Sequence, residues 1–466
     1  MTTTPPAMML PGDGPIALHE VELSAPLPVL TGDGPAQVLV RLHGRPLGVV
    51  AATLSPAGLR PDQLAGRVMD RLGPDVAAHL TADGLAVPET VPIDGVVTSD
   101  VCRPVLPAEL AGTVVVTSCV ASPSLAATLA GILAQSVPAQ EIIVVDNRPR
   151  TSGIREQLSR MAGEVRYVAE PERGLSRARN AGLAAATTPV VVFTDDDVEV
   201  DPRWLEFLLS GFAAGSGVVD ETVGCVTGLI RPLELSTPAQ VWFEQFGGFG
   251  KGFVGRRFDR TENRSGDLLY PYTAGVFGSG ANSAFRTDTL RQLGGFDEFL
   301  GTGTAARGGE DLDIFLSVVR SGHVLVYEPA ALIRHLHKRT TVELRRQMYD
   351  YGAGLGAMVT KRIATQPAER LQIARLVPGG LHHLLHPRSS KNAGKSRDYP
   401  RSLTLIELVG VARGPVGYAA SRALARRRQR DLPHDHAPTP GAPPAPFPRA
   451  PIPEPRISTV TTGAQP

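Results

Sequence analysis

Between residues 112 and 197 the chain alternates apolar, mostly β-branched runs with helix-like segments, and polar residues close each run. The runs are VVVTS, IIVVDN, VRYVAE and VVVFTDDD. Strands that are apolar on both faces are typical of a parallel sheet covered by helices on both sides. Ligands bind such open sheets at the carboxyl ends of the strands. The pattern therefore predicts an α/β fold with a nucleotide-binding type of layer and a ligand site where the polar residues lie.

The chain has 466 residues, more than one compact domain usually occupies, so we expect further parts around the α/β unit. Short apolar runs with turns and one helix-like segment precede that unit, and eleven prolines lie in the last 36 residues. The predicted parts are a flexible N-terminus at 1–17, a small β-rich α+β module at 18–107, a large α/β domain at 108–345, a helical basic extension at 346–430 and a disordered Pro-rich tail at 431–466.

Composition excludes several classes of protein. Hydrophobic residues make up 42% and charged residues 20%, which is too apolar for a wholly disordered chain. Cys102, Cys119 and Cys225 are far apart and predict neither a disulfide framework nor, by themselves, a four-ligand zinc site. No run reaches about 18 apolar residues, and the start MTTTPPAMML lacks the features of a signal peptide. We therefore expect a cytoplasmic protein that is neither secreted nor membrane-spanning.

Charge is distributed unevenly along the chain. Residues 361–430 hold fifteen Lys or Arg against three acidic residues, although the whole chain carries a net charge of only +1. Such a basic surface is most often simply solvated, but it can also attract anionic headgroups. We expect no nucleic-acid partner, and we consider residues 361–430 a candidate for peripheral contact with the inner face of the plasma membrane.

Three successive carboxylates, Asp195, Asp196 and Asp197, close the last apolar run. They repel one another and destabilise the fold unless a cation lies among them. Mg²⁺ and Mn²⁺ are commonly held by one or two carboxylates together with the phosphate oxygens of a substrate. The alternative role, capping the next helix, suits Asp201 better. The triplet therefore predicts a divalent-metal site with Mn²⁺ or Mg²⁺ as cofactor.

A basic segment, EPERGLSRARNAG, begins at Glu170. Gly174 allows an unusual turn, and Ser176 stands where a helix N-cap is expected. Helix N-terminal amides and arginine side chains favour a diphosphate, although a solvated basic helix start has the same sequence pattern. The candidate diphosphate-binding side chains of this segment are Arg177, Arg179 and Asn180.

Asp146 and Asn147 follow the second apolar run. Both side chains can accept hydrogen bonds from a nucleobase, and both residue types equally favour turns. The residues alone leave these two roles open.

Two later motifs add acids and histidines. GGEDLD places Glu310 and Asp311 at the start of a helix-like segment, where acids are also common for structural reasons. Their side chains project in different directions, so one can act as a base while the other binds. RHLHKR then offers His335 and His337, and either imidazole can complete the coordination shell of an ion held by the aspartates.

The order of these motifs resembles that of family 2 glycosyltransferases of the GT-A fold. The motifs are VVVTSCV, EIIVVDN, GLSRARNAG, FTDDDV, GSGANSAFR with LGGFDE, GGEDLD and HLH. The resemblance covers residues 112–341. It implies an inverting, metal-dependent enzyme that moves one sugar from a nucleotide diphosphate sugar to a hydroxyl of a glycan, lipid-linked sugar or small molecule. The implied setting is cell-envelope glycan or natural-product glycoside synthesis.

The resemblance also implies roles for single residues. It assigns donor contacts to Asp146, Glu170 and Asp195, metal ligation to Asp195, Asp197 and His335 in preference to His337, and the catalytic base to Asp311. Glu310 would support the donor or the acceptor, and Gly280 and Asn282 would line the donor-sugar pocket. Arg177, Arg179, Asn180 and Asp196 join the expected donor-binding residues.

The acceptor side is less well defined by the sequence. The segment WFEQFGGFGKGF, residues 242–253, is aromatic and glycine-rich, which predicts an acceptor channel or lid formed by Trp242 and Phe243 above all. The QxxRW motif of processive synthases is missing, and LRRQMYDYG follows the acids instead. This difference predicts the transfer of a single sugar.

Two other functions share parts of this pattern. A nucleotidyltransferase would have the α/β layer and the carboxylate-bound metal, but no Gly-rich signature with a Lys follows the first strand. A non-catalytic nucleotide-sugar-binding protein would have a decayed site, whereas the three aspartates, the ED pair and the histidines are all present.

Overall fold

The computed structural model describes residues 14–431, except residues 100, 162, 215, 216, 388, 390, 393 and 397, and it describes side chains as far as residue 427. Most of the predicted flexible start at 1–17 and nearly all of the predicted tail at 431–466 lie outside the described residues.

Strands dominate the first part of the described chain, strands and helices alternate in the middle, and helices dominate the end. The strands are β1 Ala17–Glu22, β2 Gly34–Leu42, β3 Arg45–Leu54, β4 Gly112–Ser118, β5 Glu141–Asp146, β6 Arg166–Ala169, β7 Val190–Asp195, β8 Val198–Val200, β9 Ala213–Ala214, β10 Val218–Val219, β11 Val223–Pro232, β12 Arg256–Phe258, β13 Asn282–Arg286 and β14 Val324–His335. The α-helices are α1 Pro61–Ala82, α2 Pro123–Leu133, α3 Ile154–Leu158, α4 Leu175–Ala185, α5 Trp204–Ser210, α6 Pro238–Phe246, α7 Thr287–Gln292, α8 Glu310–Arg320, α9 Thr341–Thr365, α10 Arg370–Leu385 and α11 Arg401–Asp431. Short 3₁₀-helices span Ala274–Phe277 and Pro367–Glu369.

The N-terminal part is a three-stranded sheet with one helix packed on it. Strand β1 pairs parallel to β2, and β2 pairs antiparallel to β3. Helix α1 begins with a proline in its first turn, where the missing N–H costs no hydrogen bond. Its buried residues Leu64, Val68, Leu72, Val76 and Leu80 recur every four positions and form one apolar stripe. That stripe and the sheet share a core of their own.

The large sheet has the order β12-β14-β11-β13-β7-β4-β5-β6, with β8 paired to the end of β14. Strands β7, β4, β5 and β6 are parallel, as the apolar runs predict. Strand β13 is antiparallel to both β7 and β11, so the sheet is mixed. Successive residues of β4 and β7 enter two separate cores, one on each face of the sheet. The predicted α/β class, with a sheet covered by helices, is confirmed.

Strand β8 determines how the edge of the sheet closes. After Asp195 the chain leaves β7 and pairs antiparallel with the end of β14, so that Val198 lies opposite His335. The backbone N–H of Leu336 also donates to the Asp197 carbonyl at 3.2 Å. This short pairing brings the end of β14 beside the three aspartates.

The C-terminal described part is helical. Helices α9 and α11 approach so closely that a Cβ on Gly352, Gly356, Gly410 or Gly414 would come within 2.4 Å of backbone atoms of the facing helix. Lys361 and Arg362 are buried and form ion pairs with Asp313, so these two residues do not belong to a solvated basic face. Among the described helices, none combines the length and the apolar character that crossing a bilayer requires.

Candidate active site

A carboxylate and imidazole cluster lies where β7 and β14 end. The His335 Nε2 atom is 3.3 Å from an Asp197 oxygen and 3.6 Å from an Asp195 oxygen. One ligand atom from each of the three residues lies within 4.8 Å of the other two. The Asp195 and Asp197 side chains are 28% and 26% exposed, so the cluster is open on one side.

The electrostatics of this cluster favour a cation. Burial disfavours the imidazolium, but the hydrogen bond with Asp195 and the charge of Asp197 outweigh it and raise the pKa of His335. Burial likewise opposes ionisation of Asp195, but His335 and Arg179 outweigh it and lower the pKa of that carboxyl. Two carboxylates and one imidazole, with room for further oxygen ligands, suit Mn²⁺ or Mg²⁺ bound together with a phosphate-bearing substrate. The residues therefore fit the expected metal.

Asp196 has a different environment from its two neighbours. Its carboxylate accepts a hydrogen bond from the Ser118 hydroxyl at the end of β4. Burial, followed by repulsion from Asp197 and Asp195, raises the pKa of Asp196 to about 6. The side chain thus ties the aspartate triplet to the neighbouring strand.

Arg179 connects the metal cluster to the ED dipeptide. Its guanidinium lies 3.6 Å from Asp195 and donates a hydrogen bond to Glu310 at 3.0 Å. Arg179 and Glu310 are both buried. Burial and the charge of Asp311 raise the pKa of Glu310 to about 7, although Arg179 opposes that shift. Residues distant in the sequence therefore form one charged network at the sheet edge.

Asp311 is the more accessible acid of the pair. It is half-buried, and its carboxylate accepts hydrogen bonds from the backbone N–H groups of Gly280 and Leu312 at 3.1 and 2.8 Å. A side chain at position 280 would crowd this contact, because a Cβ on Gly280 would lie 2.7 Å from Arg179 and 3.0 Å from Asp311. The backbone therefore holds Asp311 in place while part of its carboxylate stays accessible.

The expected nucleotide end of the site is formed by β5 and the loop before α4. The Asn147 side chain donates to the carbonyls of Glu170 and Glu172 and accepts from the Gly174 N–H. Glu170 is buried, and burial raises the pKa of its carboxyl. Asn147 thus fixes the loop before α4, and its turn role, which the residues alone left open, is the one found.

Asp146 differs from the expectation of a base contact. It is fully buried, and its carboxylate accepts hydrogen bonds from the Ser152 and Tyr167 hydroxyls and from the Arg148 N–H. The carboxylate shapes the loop after β5 and does not face open space. The turn alternative explains its position in this structure.

Two residues of helix α4 are also directed away from the cluster. Arg177 pairs with Glu172 and Glu298 at 3.0 Å each. The Asn180 side chain both donates to and accepts from the backbone of Phe296, at 2.9 and 2.8 Å. In this structure both side chains are therefore directed away from the expected donor site: acids bind Arg177, and a loop backbone binds Asn180. Ser176 donates to the Leu300 carbonyl instead of capping the helix, which begins after Gly174.

The Asn282 side chain lies in the core beside the large sheet. It is fully buried, accepts a hydrogen bond from the Trp204 indole N–H at 2.9 Å and donates to the carbonyls of Leu229 and Ala331. Its amide thereby connects β13 to two neighbouring strands and to α5. The side chain is therefore directed into the core in this structure, and its expected place in the donor-sugar pocket stays a prediction.

Trp242 and Phe243 lie in helix α6 and not in a loop. Thr237 and Gln240 form a capping box that starts this helix. Phe243 is buried and Trp242 partly buried, in an apolar cluster with Leu344 and Tyr399. The expected lid is therefore a packed helix at these positions, and the irregular chain begins only at Gly247.

The two histidines of the HLH motif separate in space. His337 hydrogen-bonds to Glu244 at 2.9 Å, whereas His335 joins the aspartates. The Phe249 ring lies 5.2 Å from the His335 ring and 5.7 Å from the His337 ring, between centroids. The structure thus brings together Asp195, Asp197 and His335, as expected for the metal ligands.

Two residues near the acids were missed by sequence reasoning. Burial, followed by the charges of Asp311, Asp195 and Glu310, raises the pKa of Tyr351 on α9. Burial lowers the pKa of Lys251, and the charges of Glu244 and Asp311 oppose that change. The segment LRRQMYDYG does contain Tyr351, but only the packing of α9 brings it near α8.

Comparison with known proteins gives one family match. Residues 113–292 match the model described as glycosyl transferase family 2. Asp311 and His335 lie beyond the matched range.

Two curated relatives illustrate the similarity. The chain is 29% identical over 231 residues to a pre-mycofactocin glycosyltransferase of Mycobacterium tuberculosis, covering 49% of this chain and 44% of that protein. It is 25% identical over 208 residues to a probable N-acetylgalactosaminyltransferase 9 of Caenorhabditis elegans, covering 43% and 34%. The chain therefore spans less than half the length of these relatives.

Solved structures give distant matches. A mannosyltransferase from Pyrobaculum calidifontis in complex with GDP-Man and Mn²⁺ is 19% identical with a TM-score of 0.40, covering 71% of this chain and 88% of that one. GalNAc-T7 with UDP, GalNAc and Mn²⁺ is 17% identical with a TM-score of 0.38, covering 53% and 50%.

The residues that match the family include strands that lie at the candidate site. Strands β5, β7 and β13 lie inside the matched range, and β7 carries Asp195 at its end. The sequence similarity to glycosyl transferase family 2 therefore includes the strand that ends at the candidate site.

Proposed function

We propose that this chain transfers one sugar from a nucleotide diphosphate sugar to an acceptor hydroxyl with inversion at the anomeric carbon. The observation that carries the proposal is the single charged network at the sheet edge, in which Arg179 lies between Asp195 and Glu310 and Asp311 is adjacent. The family match of residues 113–292 supports glycosyl transfer as the reaction class.

Asp195, Asp197 and His335 would hold the divalent cation, Mn²⁺ or Mg²⁺, which when bound supplies positive charge for the diphosphate leaving group. Arg179 positions Asp195 from the buried side and keeps Glu310 in a fixed orientation. Asp196 holds the triplet against β4 through Ser118. These residues together fix the carboxylates before a donor arrives, which lowers the cost of organising the site.

Asp311 would act as the general base. Two backbone N–H groups anchor its carboxylate, and the residue is only half-buried, so an acceptor hydroxyl can approach it. As the hydroxyl oxygen attacks the anomeric carbon, its proton passes to Asp311 and the bond to the diphosphate breaks. A single displacement of this kind inverts the anomeric configuration and needs no covalent enzyme intermediate.

The proposal defines the acceptor only by its hydroxyl group, so several acceptor classes are tested. One relative is named for pre-mycofactocin and another is named a polypeptide N-acetylgalactosaminyltransferase, so both acceptor types are tested beside a glycan, a lipid-linked sugar and a small-molecule hydroxyl. A panel of acceptors from these classes is therefore part of the assay.

The test uses the purified full chain with UDP-, GDP- and dTDP-sugars, with and without Mn²⁺. We expect one donor to bind only with metal, Asp197→Ala to abolish that binding, and Asp311→Asn to bind the donor but lose at least about 100-fold in turnover. Glu199→Gln is the matched control, because Glu199 is exposed and pairs with Arg334. If no nucleotide sugar binds under any metal condition, the proposed function is wrong.

We also propose peripheral contact of the basic C-terminal helices with anionic lipid. Helix α10 exposes Leu371, Leu381 and Leu385 together with the exposed Arg370 and Arg375. Apolar and basic side chains on one exposed helix favour an interfacial position on a charged membrane. Flotation with phosphatidylserine-containing vesicles should recover the chain at low salt and lose it at high salt. Failure to bind these vesicles at low salt would contradict the contact.

A further inference from the structure

A second cluster of metal-ligating side chains lies in the N-terminal part, outside the active site. It consists of His43, His79, Asp83 and Cys102. One ligand atom from each of them lies within 4.8 Å of all the others. The four residues come from three places in the chain, namely the turn between β2 and β3, the end of α1 and the connection to β4.

The separations within this cluster suit a four-coordinate ion. The Cys102 Sγ atom is 3.1 Å from His79 Nε2 and 4.0 Å from His43 Nδ1, and the two ring nitrogens are 3.3 Å apart. Asp83 Oδ2 lies 2.6 Å from His43 Nδ1, 3.1 Å from Sγ and 3.5 Å from His79 Nε2. Zinc bonds of the usual lengths in a tetrahedron place ligand atoms roughly 3.3 to 3.6 Å apart. Small adjustments of the side chains would bring all six separations into that range.

The hydrogen bonds of His43 identify which nitrogen faces the cluster. Its Nε2 lies 2.9 Å from the Val97 carbonyl, which can only accept, so Nε2 carries the proton. In a neutral ring Nδ1 is then an unprotonated acceptor, and it faces the acceptor oxygens of Asp83. A positive charge at this point, either a second proton on His43 or a metal ion, resolves the conflict. A backbone carbonyl that holds the outer N–H is also the usual partner of a metal-bound histidine.

The backbone holds His43 in an uncommon conformation. His43 has a φ of 52°, which is unusual for a residue other than glycine. The N–H groups of His43 and Gly44 both donate to the Glu22 carboxylate at 2.9 Å. The turn is therefore fixed by interactions other than those of the imidazole ring, which leaves the ring directed at the cluster.

Burial and the helix end favour a closed cation site. The side chains of His43, Asp83 and His79 are 1%, 5% and 11% exposed. His79 and Asp83 are four residues apart at the end of α1, so they share one helix face beside the partial negative charge of the helix terminus.

We propose that His43 Nδ1, His79 Nε2, one oxygen of Asp83 and the thiolate of Cys102 bind a zinc ion in a closed tetrahedral site. Borderline-soft sulfur and nitrogen ligands select zinc over Mg²⁺ or Mn²⁺. Binding displaces the thiol proton of Cys102 to solvent, and the thiolate and carboxylate neutralise the two positive charges of the ion. Four protein ligands leave no position for a substrate, so the site is structural.

Zinc here would fasten the connection between the two sheets. Between α1 and β4 the described chain forms no helix or strand, and Cys102 lies within this segment. Zinc would link that segment to the end of α1 and to the β2–β3 turn at once. Cysteine count alone could not reveal this site, because only one of its ligands is a cysteine.

Metal analysis of the full chain tests the proposal. After expression with ZnCl₂ and exhaustive dialysis, we expect about one zinc ion per chain in the wild type and in Asp197→Ala. Cys102→Ser and His79→Ala should retain less than about one tenth of that amount. Cys119→Ser is the matched control and should retain the zinc, because Cys119 is an exposed cysteine outside the cluster. Equal loss of zinc in Cys119→Ser would overturn the assignment.

Cobalt spectroscopy gives an answer that does not depend on how the variants fold. Wild-type chain loaded with CoCl₂ should show sulfur-to-cobalt charge-transfer absorption and the intense visible bands of a tetrahedral site. The aspartate and histidine cluster at the active site contains no sulfur, so it cannot produce the first signal. A wild-type chain that retains no zinc, or that binds cobalt without the sulfur signal, would show that His43, Asp83 and Cys102 form only a hydrogen-bonded cluster.

Discussion

Arg179 joins two acids of the candidate active site. It is buried between Asp195 and Glu310, and removing it leaves two acids near each other without the guanidinium. We expect Arg179→Met to lower the free energy of unfolding by about 3–5 kcal/mol, because breaking a buried ion pair leaves an uncompensated charge. Urea unfolding measures this change.

Arg177 is the control for that measurement, because it is two positions away on the same helix. The side chains of its partners Glu172 and Glu298 are 48% and 26% exposed, so solvent screens both pairs. Arg177→Met should therefore change stability by only about 0–1 kcal/mol. Equal effects of the two substitutions would mean that Arg179 is not the organising charge.

Glu310 should make stability depend on pH. Burial and the charge of Asp311 raise its pKa from 4.5 to about 7, while Arg179 opposes and Asp195 adds to the shift. Because the folded chain holds this proton more tightly than the unfolded chain, its stabilising contribution is full below pH 4.5 and is lost as the pH rises toward 7.

The variant Glu310→Gln isolates this effect, since glutamine does not ionise. Denaturant unfolding of both proteins without added divalent metal should show the variant gaining stability relative to the wild type as the pH rises from 4.5 to 7. A difference that stays constant across this range would show that Glu310 does not titrate there.

The elements differ in how well the sequence predicts them. Continuous apolar runs predict β4, β5 and β7 and their polar ends, because such runs bury both faces of a strand. Strand β8 has only three residues, so periodicity cannot predict it, yet its pairing brings His335 rather than His337 to Asp197. The capping box of Thr237 and Gln240 predicts the start of helix α6. The aromatic and glycine-rich composition of residues 242–253 favours a lid or channel instead.

The close contact of α9 with α11 gives a prediction for glycine. A Cβ at Gly356 would lie 2.2 Å from the Val411 carbonyl, and one at Gly410 would lie 2.3 Å from the Tyr349 carbonyl. Gly356→Ala and Gly410→Ala should therefore each destabilise the chain by about 1–3 kcal/mol, although alanine favours the helix more than glycine does. Thermal or urea unfolding measures the loss.

Gly66 in α1 provides the opposite case. It is exposed, and a Cβ there would meet no atom within 4 Å. Gly66→Ala should stabilise the chain by up to about 1 kcal/mol through helix propensity alone. If Gly356→Ala stabilised the chain to the same extent, the helices would not be in backbone contact.

Across the whole molecule, charged pairs join the N-terminal sheet to the large one. Arg41 binds Asp201 and Glu20, and Arg334, next to His335, binds Glu20. Arg41 and Asp201 are buried. These contacts connect the N-terminal module directly to the strand that supplies a proposed metal ligand.

Breaking this junction should weaken the whole chain. We expect Arg41→Met to lower the free energy of unfolding by about 3–5 kcal/mol, because Asp201 would remain buried without its partner. Arg60→Met removes an exposed pair with Asp62 and should cause no measurable change. Unaltered unfolding of Arg41→Met would indicate that the two sheets are not energetically coupled through this pair.

The antiparallel pairing of β8 with β14 has a consequence for the order of events during synthesis. A ribosome releases both aspartates long before it releases His335. Until β14 emerges and pairs with β8, the nascent chain holds two carboxylates without the imidazole that completes the trio. A prematurely terminated product would therefore contain the parallel strands of the large sheet and still lack the full set of proposed metal ligands.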